Sequence, residues 1–154
     1  MKTALFVTLS SILFLISCRK DSFITSPDAN LGISADTLHY DTVFTAVGSV
    51  TQSFKIINDN NKKLRLSSVK LMGGAASSYK MNVDGVSTIE ASGIEIEAND
   101  SVYVFVQVNV DPASGNLPFI IRDSIQISYN GNDRLVQLEA WGQNAHFFRE
   151  KLIS

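Results

Sequence analysis

One cysteine, two histidines and fifteen carboxylates are the side chains from which this 154-residue chain could assemble chemistry. His39 stands between Leu38 and Tyr40 in an alternating run, which puts it on the outer face of a strand, and His146 precedes Phe147-Phe148 near the end of the chain. Neither histidine has the HExxH type of spacing that sets two ring nitrogens on one metal, so no metal site is expected. Asp36, Asp59, Asp84, Asp100, Asp111, Asp123 and Asp133 all fall at turns or strand starts, where a short carboxylate accepts from nearby backbone N–H groups. The Asn58-Asp59-Asn60-Asn61 cluster offers oxygens to a calcium ion but lacks the DxDxDG spacing and the closing glutamate. A glycosidase pair needs two carboxylates facing each other at roughly 5–10 Å, a placement that no spacing here fixes. There is no GxSxG elbow, phosphate loop or dinucleotide fingerprint. The expectation is a chain that is not an enzyme and takes no cofactor.

The cysteine has a different context. Met1-Lys2-Thr3 is a short positive start, and Ala4 to Ile16 is apolar except for Thr8, Ser10 and Ser11, as in the hydrophobic region of a secretory signal. That run is too short to span a bilayer, which takes about 20 predominantly apolar residues, and it ends at Ser17-Cys18 against the charged Arg19-Lys20-Asp21. The sequence Leu15-Ile16-Ser17-Cys18 resembles the lipobox of Gram-negative lipoproteins. The resemblance implies diacylglycerol on the Cys18 sulfur, cleavage before Cys18 and acylation of the new amino group. Acyl chains contribute about 0.8 kcal/mol per buried methylene, so three of them make a firm membrane anchor. By the sorting rule of enteric lipoproteins, Arg19 in place of Asp implies the outer membrane. Lys20-Asp21 is similar, with one acidic residue missing, to a basic-then-acidic signal that sends some lipoproteins to the cell surface. The expected location is therefore the outer membrane, facing either the outside or the periplasm.

Removing residues 1–17 takes one lysine and no acid, leaving twelve basic against fifteen acidic side chains. The longest basic runs, Arg19-Lys20 and Lys62-Lys63, are too short to neutralise a nucleic-acid backbone, so no nucleic-acid partner is expected. With Cys18 committed to lipid, no thiol remains for a disulfide or a redox pair, and stability must come from a packed core. A chain of this size can bury roughly 65–70% of its unfolded surface, ample for one domain and marginal for two.

The elements that would position any site read as strands. Asp21 to Ser34, with Ser22, Ser26, Pro27, Asp28, Asn30 and Gly32, reads as a tether. Leu38, Tyr40, Thr42 and Phe44 then alternate with His39, Asp41 and Val43, and Phe54 and Ile56 repeat the pattern before the asparagine-rich turn. Leu64 and Leu66 share one phase, Val69 and Leu71 the other, which predicts a bulge at Ser67-Ser68. Shorter runs around Tyr79–Val83 and Ile94–Ile96 follow. Ser101–Val110 is the clearest strand, its valines on one face and Tyr103, Phe105 and Gln107 on the other. Asn130-Gly131 turns the run ending at Tyr129 into Leu135–Trp141 as a hairpin. About seven or eight short strands without a helical period predict an all-β, immunoglobulin-like antiparallel sandwich.

Phe54-x-Ile56-x-Asn58, then Leu64-x-Leu66, then the strand through Val108 entered by Asn99-Asp100-Ser101, resembles the sandwich domains related to major sperm protein and the ASH group. More narrowly, residues 36–146, including Gly142-Gln143-Asn144-Ala145-His146, resemble the N-terminal immunoglobulin-like domain of long Gram-negative surface lipoproteins. The resulting organisation is a signal peptide at 1–17, a lipidated tether at 18–35, the sandwich at 36–146, and a tail or the start of a further domain at 147–154.

Two surface features remain. Asp36-Thr37-Leu38, Asp41-Thr42-Val43, Asp100-Ser101-Val102 and Asp123-Ser124-Ile125 share an Asp-hydroxyl-aliphatic pattern. It resembles an O-glycosylation acceptor motif of exported bacterial proteins, with Thr37, Thr42, Ser101 and Ser124 as the acceptors. The same tripeptide is also how a strand begins after an Asp turn. Tyr79, Trp141, Phe147 and Phe148 are the candidate contact surface, since exposed aromatics supply contact area at low entropic cost; core or junction packing is their alternative role. The function these features support is a noncatalytic, membrane-anchored spacer or protein-interaction module. The alternatives are a carbohydrate-binding accessory lipoprotein, or the N-terminal part of a longer protein whose activity lies downstream.

Overall fold

The computed structural model describes residues 22–44, 50–109 and 119–143, with the backbone alone at 42–44, 119 and 142–143. Ten strands follow in order: β1 (Leu31–Ile33), β2 (Thr37–Phe44), β3 (Thr51–Asn58), β4 (Leu64–Leu71), β5 (Tyr79–Val83), β6 (Val86–Ser87), β7 (Glu90–Ile96), β8 (Ser101–Val108), β9 (Phe119–Tyr129) and β10 (Asn132–Gln143). They form two five-stranded sheets, β1-β3-β8-β5-β6 and β2-β10-β9-β4-β7, stacked as a sandwich. Among the described residues no helix is long and apolar enough to cross a membrane.

Alternation along the strands makes the core. Val102, Val104, Val106 and Val108 of β8 are buried while Tyr103 and Phe105 are exposed, as a half-buried strand with period two requires. Phe54 and Ile56 from β3 and Met81 and Val83 from β5 extend the first inner face, and Leu64, Leu66, Val69, Leu71, Ile125, Ile127, Val136 and Leu138 supply the opposing one. The change of phase in β4 is real: its pairing with β9 slips between Leu66 and Ser68, which returns Val69 and Leu71 to the core. Asn130 and Gly131 both take positive φ (45° and 82°), closing a two-residue turn whose twist matches the β9–β10 hairpin. Asp84 and Gly85 do the same between β5 and β6.

Three features depart from the sequence reading. Among the described residues the strands number ten, because β1 and β6, of three and two residues, are too short to show alternation. The sandwich is mixed rather than wholly antiparallel, since β2 lies parallel to β10 in the register Leu38↔Leu138, Tyr40↔Ala140. The segment expected as a tether is, from residue 22 onward, part of the fold. Ala29 and Leu31 are buried, β1 pairs with β3, and Phe23 bridges to Lys63. Its polar residues serve local turns: Asp28 N–H donates to Ser26 Oγ (3.1 Å), and Ala29 N–H to the Ser26 carbonyl (3.1 Å).

Two tyrosines tie the sheets together in opposite directions. Tyr40 on β2 donates its hydroxyl to the Val106 carbonyl on β8 (2.7 Å), and Tyr79 on β5 donates to the Ile121 carbonyl on β9 (2.9 Å). Their rings touch at 5.8 Å between centroids. Burial pushes both phenols well above their ordinary range, and for Tyr79 the nearby Tyr40, Asp123 and Glu139 add to it.

Candidate functional site

The asparagine-rich turn, considered above for calcium, is used by the fold. Asn58 is buried, and its amide NH2 donates to the carbonyls of Lys62, Ile96 and Glu97, while its oxygen accepts from the Asn60 backbone and side chain. Asn60 in turn makes reciprocal bonds with the Asn30 backbone (3.0 and 2.7 Å). These bonds join the end of β3 in one sheet to the start of β4 and the end of β7 in the other. Asp100 accepts from the Ser101 N–H (2.7 Å), the expected strand-start role. Asp123 does not sit at a turn. It lies inside β9, where its carboxylate accepts from the Gly73 N–H, the Ser77 hydroxyl and the Ser124 N–H, and so holds the β4–β5 connection against the sheet. A side chain at Gly73 would collide with that carboxylate, which explains the glycine.

Of the candidate contact aromatics, Tyr79 is a core residue at 2% exposure, because its strand position points inward and its hydroxyl finds a carbonyl across the sandwich. Trp141 is 48% exposed at the end of β10. Phe147 and Phe148 lie outside the described residues, as do Cys18, His146 and the signal segment. Of the hydroxyl residues, Thr37 and Ser101 are half-buried at the first positions of β2 and β8, and Ser124 is half-buried within β9 opposite Gln137. The Thr42 side chain lies outside the described residues. Thr37 and Thr42 belong to the same strand, Thr37 and Ser124 flank Gln137 in one register row of that sheet, and Ser101 lies on the other sheet.

A second exposed aromatic group lies on the other sheet. Tyr103 and Phe105 project from β8, the central strand of its sheet, and are 44% and 42% exposed. Their rings stack at 5.8 Å and 15°, and the Lys55 ammonium sits 4.8 Å from the Tyr103 ring centre. Strand register sets the neighbours: Ser53 and Asn82 flank Phe105, and Thr51 and Lys80 flank Gln107. A shallow groove of about 180 Å³ lies on the side of Phe105 toward Gln107, lined also by Lys80, Asn82, Thr51 and Ser87. The Asn82 amide oxygen is buried there without a hydrogen-bond partner among the described residues. The signal for this site was present in the sequence: the same period-two argument that sends the valines inward sends Tyr103, Phe105 and Gln107 outward.

No protein-family model matches the sequence, and no curated protein matches it. Among solved structures it is similar to a family 123 glycoside hydrolase from Clostridium perfringens, with a TM-score of 0.54 and 10% identity over 75% of this chain and 28% of that one. The chain thus spans less than a third of that structure's length. It is also similar to the CooA pilin subunit from enterotoxigenic Escherichia coli (TM-score 0.47, 8% identity, 75% of this chain and 99% of that one). A third similar structure is WR4, a C. elegans MSP family member (TM-score 0.43, 9% identity, 75% and 99%). The fold is immunoglobulin-like. At such identities the likeness extends to the fold and no further.

Proposed function

We propose that this chain is a noncatalytic lipoprotein of the outer membrane, anchored through Cys18, whose immunoglobulin-like sandwich presents a binding surface on the outer face of the β1-β3-β8-β5-β6 sheet. Under this reading it belongs with the sandwich domains that open longer surface lipoproteins, and any catalytic activity would lie in a following domain. The observation that carries the proposal is the stacked Tyr103–Phe105 pair left exposed at the centre of a sheet. Two large rings on a fold with ample core positions cost solubility unless a partner covers them.

Between protein and carbohydrate as that partner, the surroundings favour carbohydrate. Protein interfaces typically bury about 800 Å² per partner, with an apolar patch at their centre. Here a two-ring strip is surrounded by the hydroxyls of Thr51 and Ser53 and the amides of Asn82 and Gln107. Such an arrangement suits a sugar, which offers an apolar ring face and a rim of hydroxyls.

Intact-mass analysis of the protein from its native membrane, beside a Cys18→Ala variant, tests the anchoring, and protease treatment of whole cells tests the display. A triacyl mass that disappears in Cys18→Ala is expected, with the sandwich removable from intact cells. An unlipidated mass that Cys18→Ala leaves in place would overturn the anchoring, and protection from protease would move the surface to the periplasm. Additional hexose mass, mapped by peptide sequencing, would locate O-glycosylation at Thr37, Thr42, Ser101 or Ser124.

A further inference from the structure

Charge separates this face from the rest of the molecule. Outward positions on β3, β8 and β5 are Thr51, Ser53, Lys55, Ile57, Ser101, Tyr103, Phe105, Gln107, Lys80 and Asn82: two lysines and no carboxylate, in a chain with more acids than bases. Elsewhere on the surface four basic side chains meet carboxylates, in Lys63–Glu97, Arg65–Glu95, Lys70–Glu90 and Arg122–Glu139. Lys80 has no carboxylate within ion-pair reach among the described residues, and it lines the groove beside Phe105.

We infer that this groove binds a carboxylated sugar unit of an acidic polysaccharide, with the pyranose stacked on Phe105 and its carboxylate held by Lys80. The inference rests on the sheet-face reading above and names its ligand. Tyr103 backs Phe105 on one side, so the ring face toward Gln107 is the one a ligand meets. The groove volume of about 180 Å³ is below the roughly 300–1,000 Å³ that encloses a drug-sized ligand, so it takes one ring at a time along an extended chain. Thr51, Ser87 and Gln107 supply donors and acceptors to ring hydroxyls. The Asn82 amide lines the groove and its oxygen has no hydrogen-bond partner among the described residues, so a sugar hydroxyl donating to it satisfies an acceptor that the protein leaves open. An ammonium on a flexible stem suits a carboxylate whose position varies from residue to residue of a polymer.

Affinity electrophoresis of the full chain in detergent, through gels containing polygalacturonate, dextran or dextran sulfate, tests this. Retardation by polygalacturonate and none by dextran is expected. Phe105→Ala weakens retention tenfold or more, Lys80→Met about fivefold, and Trp141→Ala, an exposed aromatic on the other sheet, leaves it unchanged. Thermal unfolding of each variant separates lost binding from lost fold, and Lys80→Met, at an exposed position, is readable even where Phe105→Ala fails to fold. No retention by polygalacturonate overturns the inference. So does retention indifferent to both Phe105 and Lys80, or retention by dextran sulfate alone, which would mark sulfate or general cation exchange. A chain that is lipidated and displayed but ignores polygalacturonate sinks only this inference. One that binds it through Phe105 and Lys80 without lipidation sinks only the anchoring.

Discussion

The two outer faces of the sandwich are made by the same alternation of side chains and treat their surface groups in opposite ways. On β2-β10-β9-β4-β7 three outward pairs of opposite charge meet across strands: Arg65 with Glu95 at 2.6 Å, Lys70 with Glu90 at 3.4 Å, and Arg122 with Glu139 at 2.9 Å, where Glu139 also faces His39 at 4.0 Å. Each pair occupies directly opposed register positions, the arrangement in which cross-strand charges help a sheet. On β1-β3-β8-β5-β6 the central strand carries the stacked rings and Gln107, and its neighbours β3 and β5 add Lys55, Lys80 and Asn82, with no acid at the outward positions of these three strands. The first face satisfies itself and the second leaves donors, a ring face and positive charge open. A surface kept in the second condition, on a chain whose net charge is negative, is where a ligand is to be sought.

Both sheets are held against each other by the shared core, the Asn58 corner and the two tyrosine bonds. Asn58→Leu strips partners from the Lys62, Ile96 and Glu97 carbonyls, and is expected to cost about 3 kcal/mol in urea unfolding, toward the upper end for unsatisfied buried groups. A loss below about 1 kcal/mol would show that water replaces the amide and that the corner is not a clamp. Tyr40→Phe and Tyr79→Phe follow at about 1–2 kcal/mol each, since each removes an inter-sheet hydrogen bond and leaves a buried carbonyl behind.

The same tyrosines set a pH response. Both phenols ionise in the folded state only well above the ordinary tyrosine range, so the folded chain holds protons that the unfolded chain releases. Their contribution is full below about pH 10, the unfolded value, and declines as pH rises beyond it. Alkaline unfolding followed by the phenolate absorbance is therefore expected to be steep above about pH 10 and shallower in the double phenylalanine variant. An unchanged slope in that variant would assign the alkaline loss to other groups.

Much of this architecture was legible in the sequence, and the parts that were not have physical reasons. The valines of β8, the phase change in β4 and the Asn130-Gly131 hairpin each rest on a local rule that burial or backbone geometry enforces, and each is present. β1 was hidden because three residues carry no period, and its partner β3 lies more than twenty positions away. Asp123 was misplaced for the opposite reason: its neighbours look like a strand start, but the groups that hold it, Gly73 and Ser77, come from another part of the chain. Tyr79 and Phe105 show the limit most clearly: the valine run of β8 sends Phe105 outward from the sequence alone, whereas the short run through Tyr79 leaves its phase open until the sheet is assembled.

The smallest expected effect sharpens the comparison most. Arg65 is 55% exposed, meets Glu95, and lies 4.3 Å from the centre of the Phe23 ring. Exposed ion pairs are generally worth about 0.2–1 kcal/mol, and solvent screening keeps this one toward the lower end despite the added ring contact. Arg65→Ala is therefore expected to lower stability by about 0.5 kcal/mol, and less in high salt, as chemical unfolding at two ionic strengths would read. Retention by polygalacturonate should not change at all, because that guanidinium's charge is already answered by a carboxylate on its own sheet. A loss of retention in Arg65→Ala comparable to that in Lys80→Met would mean that the ligand reads the total charge of the molecule. The distinction between a self-satisfied face and an open one would then have no functional content.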